Sequence, residues 1–197
     1  MRQLASEGKD IFILGGPNGA GKTTAAEALL PRKLRIEAFL NADEIARGIC
    51  PDDVESAAFE AGRRMIEKMR TLVRDGQSFA FETTCSGKSY IRLLKECKEA
   101  GWRITLIYLW VPSPEYSIAR VARRVGQGGH HIPEEVIRRR YLAGLWNMRH
   151  LYLPLAYDAF VYDNRDRALR LVARRAAGSP LLILDEETWA RIEELTP

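Results

Sequence analysis

A chain of 197 residues fits one domain with at most a small appendage. Its 46% hydrophobic and 28% charged residues describe a globular protein with a real core, and a net charge of +4 suits anionic small molecules without the basic block that marks a nucleic-acid tail. Cys50, Cys85 and Cys97 form no C-x-x-C pair, which argues against a disulfide framework and a thiolate zinc site. No apolar run reaches the ~18 residues of a membrane span. The opening MRQLASEGKD carries no apolar core of a signal peptide, so the expectation is a cytoplasmic protein with reduced thiols and no membrane partner.

In chain order, DIFILGG (10–16) is a continuous apolar run ending in glycines, the pattern of a strand buried on both faces. GKTTAAEALL turns helical and stops at Pro31, and KLRIEAFL (33–40) reads as a second strand. From Asp52 to Asp75, Val54, Ala58, Ala61, Met65, Met69 and Leu72 recur at steps of three and four, which predicts one long helix ended by Gly76. SFAFE (78–82) is a third strand, SYIRLLKECKEAG (89–101) a helix and RITLIYLWV (103–111) a fourth strand. Pro and Ser in PSPEYS open a helix over about 115–125, and GQGGHHIP separates it from another over 134–150. AFVYDN (159–164) is a fifth strand, and residues 168–185 read as two strands around Gly178-Ser179-Pro180 before a short helix to Leu195. Strands alternating with helices imply an α/β fold, a parallel sheet covered on both faces. Residues 1–164 then form the main domain, with a lid over about 115–150, and 165–197 form a strand and helix extension packed on the same domain.

Ligands in such sheets bind at the carboxyl ends of the strands. After the first strand stands GPNGAGKT, a full match to G-x-x-x-x-G-K-[ST] in the strand-to-helix setting that its mechanism needs. Glycines let backbone N–H groups close around phosphate oxygens, and the helix N-terminus adds positive charge. Gly16, Pro17, Asn18, Gly19, Ala20, Gly21, Lys22, Thr23 and Thr24 are therefore assigned to a nucleoside triphosphate, ATP, with Lys22 at the β- and γ-phosphates and Thr23 on Mg²⁺.

Neither N-K-x-D nor D-x-x-G occurs, which sets a GTPase aside, and L-S-G-G-Q of ABC ATPases is absent. One rival remains: LLILDEE (181–187) has the form of a Walker B strand, with Asp185 on Mg²⁺ and Glu186 activating water in an ATPase or nucleotide switch. Against it, DEETW is a good acidic helix start, and Pro180 suits an edge strand.

The kinase reading uses the other strand ends. The stretch FLNADEIARG (39–48) ends the second strand with Asn41, Asp43 and Glu44; Asp43 is the choice for the base that orients an acceptor hydroxyl, while helix capping explains the same residue types. Glu82 closes FAFE, where it could hold Mg²⁺ through water or meet the acceptor, with Thr83, Thr84 and Asn41 beside it. Catalysis also needs positive charge on the transferring phosphoryl group. Arg120, Arg123 and Arg124 share a helical face, and Arg138, Arg139 and Arg140 follow the glycine-rich loop, as in a lid that closes over the nucleotide. Arg120 and Arg124 are assigned to the phosphates and Arg140 to the substrate. His130 and His131 have no third metal ligand near them in the sequence.

GGPNGAGKTT, NADEIARG, FAFETTCSG, YLWVPSPE, GGHHIPEEVIRRRY and FVYDN together resemble the bacterial zeta-toxin-like P-loop kinases over about residues 10–164. The resemblance implies ATP-dependent phosphorylation of a sugar 3′-hydroxyl on UDP-N-acetylglucosamine and a cognate antitoxin protein that blocks the ATP site. It gives Lys22 and Thr23 the Walker roles, Asp43 the role of base, and Glu82 with Thr84 the acceptor site. The chain departs from that pattern at Asn41, where toxins often carry an acidic residue, and in its tail from Arg165 onward. Two further expectations stay open beside it: the Walker B ATPase, and a polynucleotide kinase, which the modest charge and the lack of a basic aromatic groove argue against.

Overall fold

The structure, a computed structural model, describes residues 9–29, 36, 38–51, 53–54, 56–129, 131–166, 168–177 and 179–197. The helix stop at Pro31, the first half of the second strand, Asp52, His130 and Gly178 lie outside the described residues.

Five strands run parallel in the order β2 (Ala38–Asn41), β3 (Phe79–Thr83), β1 (Asp10–Gly15), β4 (Arg103–Trp110) and β5 (Asp158–Asp163). Every residue of β1 is buried, and all of β4 after Arg103, so both faces of the sheet centre are covered. Two antiparallel strands, β6 (Arg170–Arg175) and β7 (Leu182–Ile183), extend the sheet beyond β5, so it is mixed rather than wholly parallel. The connections that cross the sheet carry α1 (Lys22–Leu29), α2 (Ala42–Ile49), α3 (Ala58–Arg74), α4 (Ile91–Glu99), α5 (Pro114–Val125) and α6 (Glu134–Asn147).

The helix expected from Asp52 starts at Ala58 instead. Asp53 accepts a hydrogen bond from the Ser56 backbone N–H at 3.1 Å, a local bond that competes with helix in the preceding turn. The inward face is correspondingly Ala61, Met65 and Met69, with Ala57 buried just before the helix, while Ala58 is exposed. Gly76 (φ +68°) and Gly101 (φ +82°) stop α3 and α4 in the left-handed conformation that glycine adopts without strain.

The helix expected to reach residue 150 leaves α geometry at Asn147. A π turn over Met148–Tyr152 follows, then a short α7 (Leu153–Leu155). Residues five apart in an α-helix point roughly 140° apart. The wider i→i+5 turn brings Asn147 and Tyr152 closer to one side. There the Asn147 amide donates to the carbonyls of Cys85 (2.8 Å) and Ser86 (3.1 Å), and the Tyr152 hydroxyl donates to that of Gly87 (3.2 Å). The loop after β3 is thus held from behind. It contains Cys85, whose φ of +58° makes it the one non-glycine residue with positive φ among the described residues.

The tail closes with α8 (Glu186–Glu194), which rests Trp189 and Ile192 in the core.

Candidate active site

The P-loop leaves β1 at Gly15 and curls into α1. Gly16 has φ +146°, and a Cβ there would stand 2.4 Å from the Leu109 carbonyl oxygen, so no side chain fits. At Gly19 (φ +75°) a Cβ would meet the Cβ of Arg120 at 2.9 Å. The Lys22 ammonium, buried at 6% exposure, donates to the Pro17 carbonyl at 3.0 Å and stands 3.6 Å from Glu82.

Glu82 gathers the ends of three elements. Its Oε2 accepts from Thr23 Oγ1 at 2.9 Å and from Asn41 Nδ2 at 3.3 Å. The register that pairs Asn41 with Glu82 across β2 and β3, and Glu82 with Leu14 across β3 and β1, brings them together. Asn41 in turn caps α2, accepting from the Asp43 backbone N–H at 2.9 Å. The capping atom is therefore Asn41, and the Asp43 carboxylate is left with no hydrogen bond or ion pair among the described residues.

Two cavities meet at this point. The first, about 500 Å³, is lined by Gly19, Gly21, Lys22, Thr23, Thr24, Glu82, Arg120, Arg123, Arg124, Gln127, Asn164 and Leu169. The second, about 240 Å³, holds Asp43, Asn41, Thr83, Thr84, Ser86, Ser89, Tyr90, Arg140 and Asn18. Lys22 and Glu82 line both. Asn18, assigned to the nucleotide by its place in the motif, faces the second cavity instead.

The arginines divide. Arg120 is a clamp: its guanidinium donates to the carbonyls of Gly19 (3.3 Å), Asn164 (2.8 Å) and Arg165 (3.0 Å) and lies 4.9 Å over the Tyr116 ring. Arg123 and Arg124 are exposed on the wall of the first cavity, and Arg140 reaches the second. Arg138 pairs with Glu115 and Glu134, which ties α6 to α5, and Arg139 is exposed. His131 is exposed outside both cavities.

Of the threonines, Thr83 accepts from the Cys85 N–H at 2.9 Å and so serves the turn, while Thr84 shares a 2.8 Å hydrogen bond with Ser86. Burial pushes the Cys85 thiol up to about 12 and the Tyr90 hydroxyl up to about 12, so both stay protonated beside the site. For Tyr90 the negative charge of Asp43 adds to burial.

Sequence reading missed Asn164. Its amide donates to the Ala20 carbonyl at 2.7 Å and would lie 2.9 Å from a Cβ at Gly21, so the end of β5 is stitched to the P-loop. The strand-end rule that singled out Asn41 and Glu82 applies to Asn164 equally.

The Walker B alternative meets a different geometry. β7 lies four strands from β1 in the sheet, roughly 19 Å at the usual strand spacing. Asp185 caps α8, accepting from the Thr188 N–H and hydroxyl at 2.9 and 2.8 Å, bonds that hold its carboxyl below the ordinary range. Neither Asp185 nor Glu186 lines either cavity.

A glycine cradle at a helix start, a buried lysine and a hydroxyl–carboxylate pair between two cavities define a P-loop nucleotide-binding protein of the kinase-like fold. The chain belongs to the AAA_33 family, an AAA domain, whose model matches residues 11–142. An uncharacterised protein of Haemophilus influenzae is 33% identical over 135 residues, 68% of this chain and 94% of its own. Among solved structures, the fold is similar to AvrRxo1-ORF1 in its complex with ORF2 and ATP (TM-score 0.72, 18% identity); 94% of this chain is covered, but only 63% of that one. It is also similar to the PezAT toxin–antitoxin system of Streptococcus pneumoniae (TM-score 0.63, 16% identity, 98% of this chain and 90% of that one). Among the described residues, no helix is long and apolar enough to cross a membrane.

Proposed function

We propose that the protein is an ATP-dependent kinase that moves the γ-phosphoryl group onto a hydroxyl of a small-molecule acceptor. The observation that carries this reading is the meeting of the P-loop cavity and a smaller, hydroxyl- and amide-lined cavity at Lys22 and Glu82, with the Asp43 carboxylate, unpaired among the described residues, in the lining of the smaller one. ATP fits the first cavity: the P-loop and Lys22 take its phosphates, and Arg123 and Arg124 supply positive charge on the outer wall. The donor set also suits Mg²⁺, since the Thr23 hydroxyl and the Glu82 carboxylate are 2.9 Å apart, hard oxygen ligands of the kind the ion prefers. When bound, the ion neutralises charge on the β- and γ-phosphates.

The acceptor lies in the second cavity. Asp43 takes the proton of its hydroxyl as the oxygen attacks the γ-phosphorus, a new P–O bond forms, and the bond to the β-phosphate oxygen breaks to leave ADP. Lys22 follows the transferring group, and Arg140 stands on the acceptor side.

Resemblance to the zeta-toxin-like kinases supplies UDP-N-acetylglucosamine as the first acceptor to test, and the likeness to PezAT supports an antitoxin protein as partner. Incubation with ATP, Mg²⁺ and UDP-N-acetylglucosamine is expected to yield a sugar nucleotide heavier by one phosphoryl group. ATP turnover that ignores every hydroxyl acceptor offered, a 5′-hydroxyl oligonucleotide included, overturns the kinase reading.

A further inference from the structure

We propose that the outward face of α6 at Leu142 and Trp146, together with the groove along α4, is a docking surface for an acidic segment of another protein that carries apolar anchors. None of the residues that form this surface lines either cavity of the candidate active site, so a segment bound there leaves both open.

Leu142 and Trp146 stand one turn apart on α6, and both are exposed, at 47% and 38%. Trp102, Trp110 and Trp189 are buried, so Trp146 is the one tryptophan of four that meets solvent. Tryptophan offers a large apolar area with few rotatable bonds and is enriched among residues that carry binding energy. Beside it runs an open cavity of about 460 Å³, lined by Ile91 and Leu151 and by Lys88, Arg92 and Lys95. Lys88 joins the two, because its ammonium lies 5.6 Å from the centroid of the Trp146 ring. The apolar pair and the cavity therefore form one continuous surface. On the other side of α6 the seat is rigid: a Cβ at Gly144 would stand 2.3 Å from the Thr84 carbonyl oxygen.

Charge identifies the occupant. Lys88, Arg92 and Lys95 follow one another at steps of four and three, which keeps them on one side of α4 and the turn before it. Arg92 is neutralised by Glu96 at 3.0 Å, and the same carboxylate lies 3.5 Å from Arg70. Neither Lys88 nor Lys95 has an ion pair among the described residues. The other carboxylate of the cavity, Glu99, belongs to the end of α4 away from Lys88. Unpaired positive charge thus stands beside the apolar pair, and carboxylates on the partner complement it. Single-stranded nucleic acid fits less well, since bases need an open aromatic face and His150 is already stacked on Trp146 at 4.3 Å, with Lys88 over the ring as well. An anionic lipid surface would be repelled by Glu96 and Glu99 and would gain little from two exposed apolar side chains.

Trp146 serves as its own reporter in the test. A synthetic peptide with leucines at i, i+3 and i+7 and glutamates between them is titrated into the full chain, and tryptophan emission and its quenching by acrylamide are followed. The peptide is expected to bind, shift the emission to the blue and shield Trp146 from acrylamide. Replacing its glutamates by glutamine should weaken binding at least fivefold, and so should replacing its leucines by serine. In the protein, Lys88→Glu combined with Lys95→Glu should weaken binding at least tenfold, and Leu142→Ser at least fivefold. Melting temperatures should hold, because all three side chains are exposed. A non-hydrolysable ATP analogue should leave the affinity within twofold. No binding of the acidic peptide at millimolar concentration, equal binding of its glutamine version, affinity within twofold in the Lys88 and Lys95 double variant, or competition by the ATP analogue overturns the proposal. Tighter binding of a thymidine oligonucleotide or of phosphatidylglycerol vesicles overturns it too, and assigns the surface to nucleic acid or to a membrane instead.

Discussion

Thr23 donates its hydroxyl to Glu82 at 2.9 Å, a bond that spans 59 residues of chain and joins the first turn of α1 to the end of β3. The same carboxylate faces Lys22 at 3.6 Å, so a single acidic side chain is shared by the two P-loop groups that would handle phosphate and metal. Glu82→Gln keeps the shape and removes the charge. The expected result is a rise of about tenfold or more in the Mg²⁺ concentration for half-maximal turnover, in line with the effect of losing a metal site's supporting groups. Titrating Mg²⁺ against ATP consumption measures it, and an unchanged midpoint removes Glu82 from the metal site.

Asp43 has a backbone role and a side-chain role that can be separated. Its N–H is held by Asn41, so Asp43→Asn should leave the α2 cap and the melting temperature unchanged. Acceptor phosphorylation should fall by about 10²-fold or more, as for loss of a general base, while ATP affinity survives. Parallel loss of ATP binding would show that the carboxylate serves the nucleotide instead.

Arg120 joins three carbonyls from two segments, which a lysine cannot do. Arg120→Lys is therefore expected to lower stability by about 2 kcal/mol in urea denaturation, the scale of lost hydrogen bonds to a charged donor. ATP affinity should drop with it, because the clamp holds the Gly19 carbonyl of the P-loop. Stability equal to that of the wild type would mean that the guanidinium is free to serve the phosphates alone.

The alkaline limb of stability has a definite sign. Cys85 is shifted from 9.0 to about 12 and Tyr90 from 10.0 to about 12, both mainly by burial. A raised pKa in the folded state means a contribution fully present below the unfolded value and lost as pH rises toward the folded one. Stability should thus decline from about pH 9 toward pH 12. Between 9 and 10 the thiol dominates this pair, so Cys85→Ala should flatten that part of the curve. Denaturant midpoints at pH 8, 9.5 and 10.5 decide it, and an identical slope in the variant refutes the assignment.

Asp185→Asn and Glu186→Gln should leave ATP turnover at the wild-type rate. Asp185→Ala should cost about 0.5–2 kcal/mol through the lost cap of α8. A turnover defect in either amide variant would restore the Walker B reading.

Much of this was legible in the sequence because short-range rules wrote it. The P-loop is a contiguous motif, and the strand ends at Asn41 and Glu82 followed from apolar runs that stop at polar residues. What was hidden depends on register or on contacts between distant segments. Nothing local marks which of Asn41 and Asp43 caps α2; the cap went to Asn41 because it is the last residue of β2, directly before the helix, and this freed the Asp43 carboxylate. The roles of Arg120 and Arg124 could not be separated by helical spacing, since only the position of the 164–165 carbonyls distinguishes a clamp from a wall. The start of α3 was misplaced because the apolar repeat continues through Val54, which is buried in a turn rather than in the helix. The π turn after Asn147 has no periodic signature, and the left-handed Cys85 has no glycine to announce it.

The contact between Gly144 and Thr84 leaves no room for even a methyl group. Helix α6 and the loop that rims the smaller cavity therefore meet backbone to backbone, with no flexible side chain to absorb displacement. A swing of that helix would be felt undamped at Thr84 and Ser86, so the width of the smaller cavity is mechanically geared to the element that carries Arg138 and Arg140.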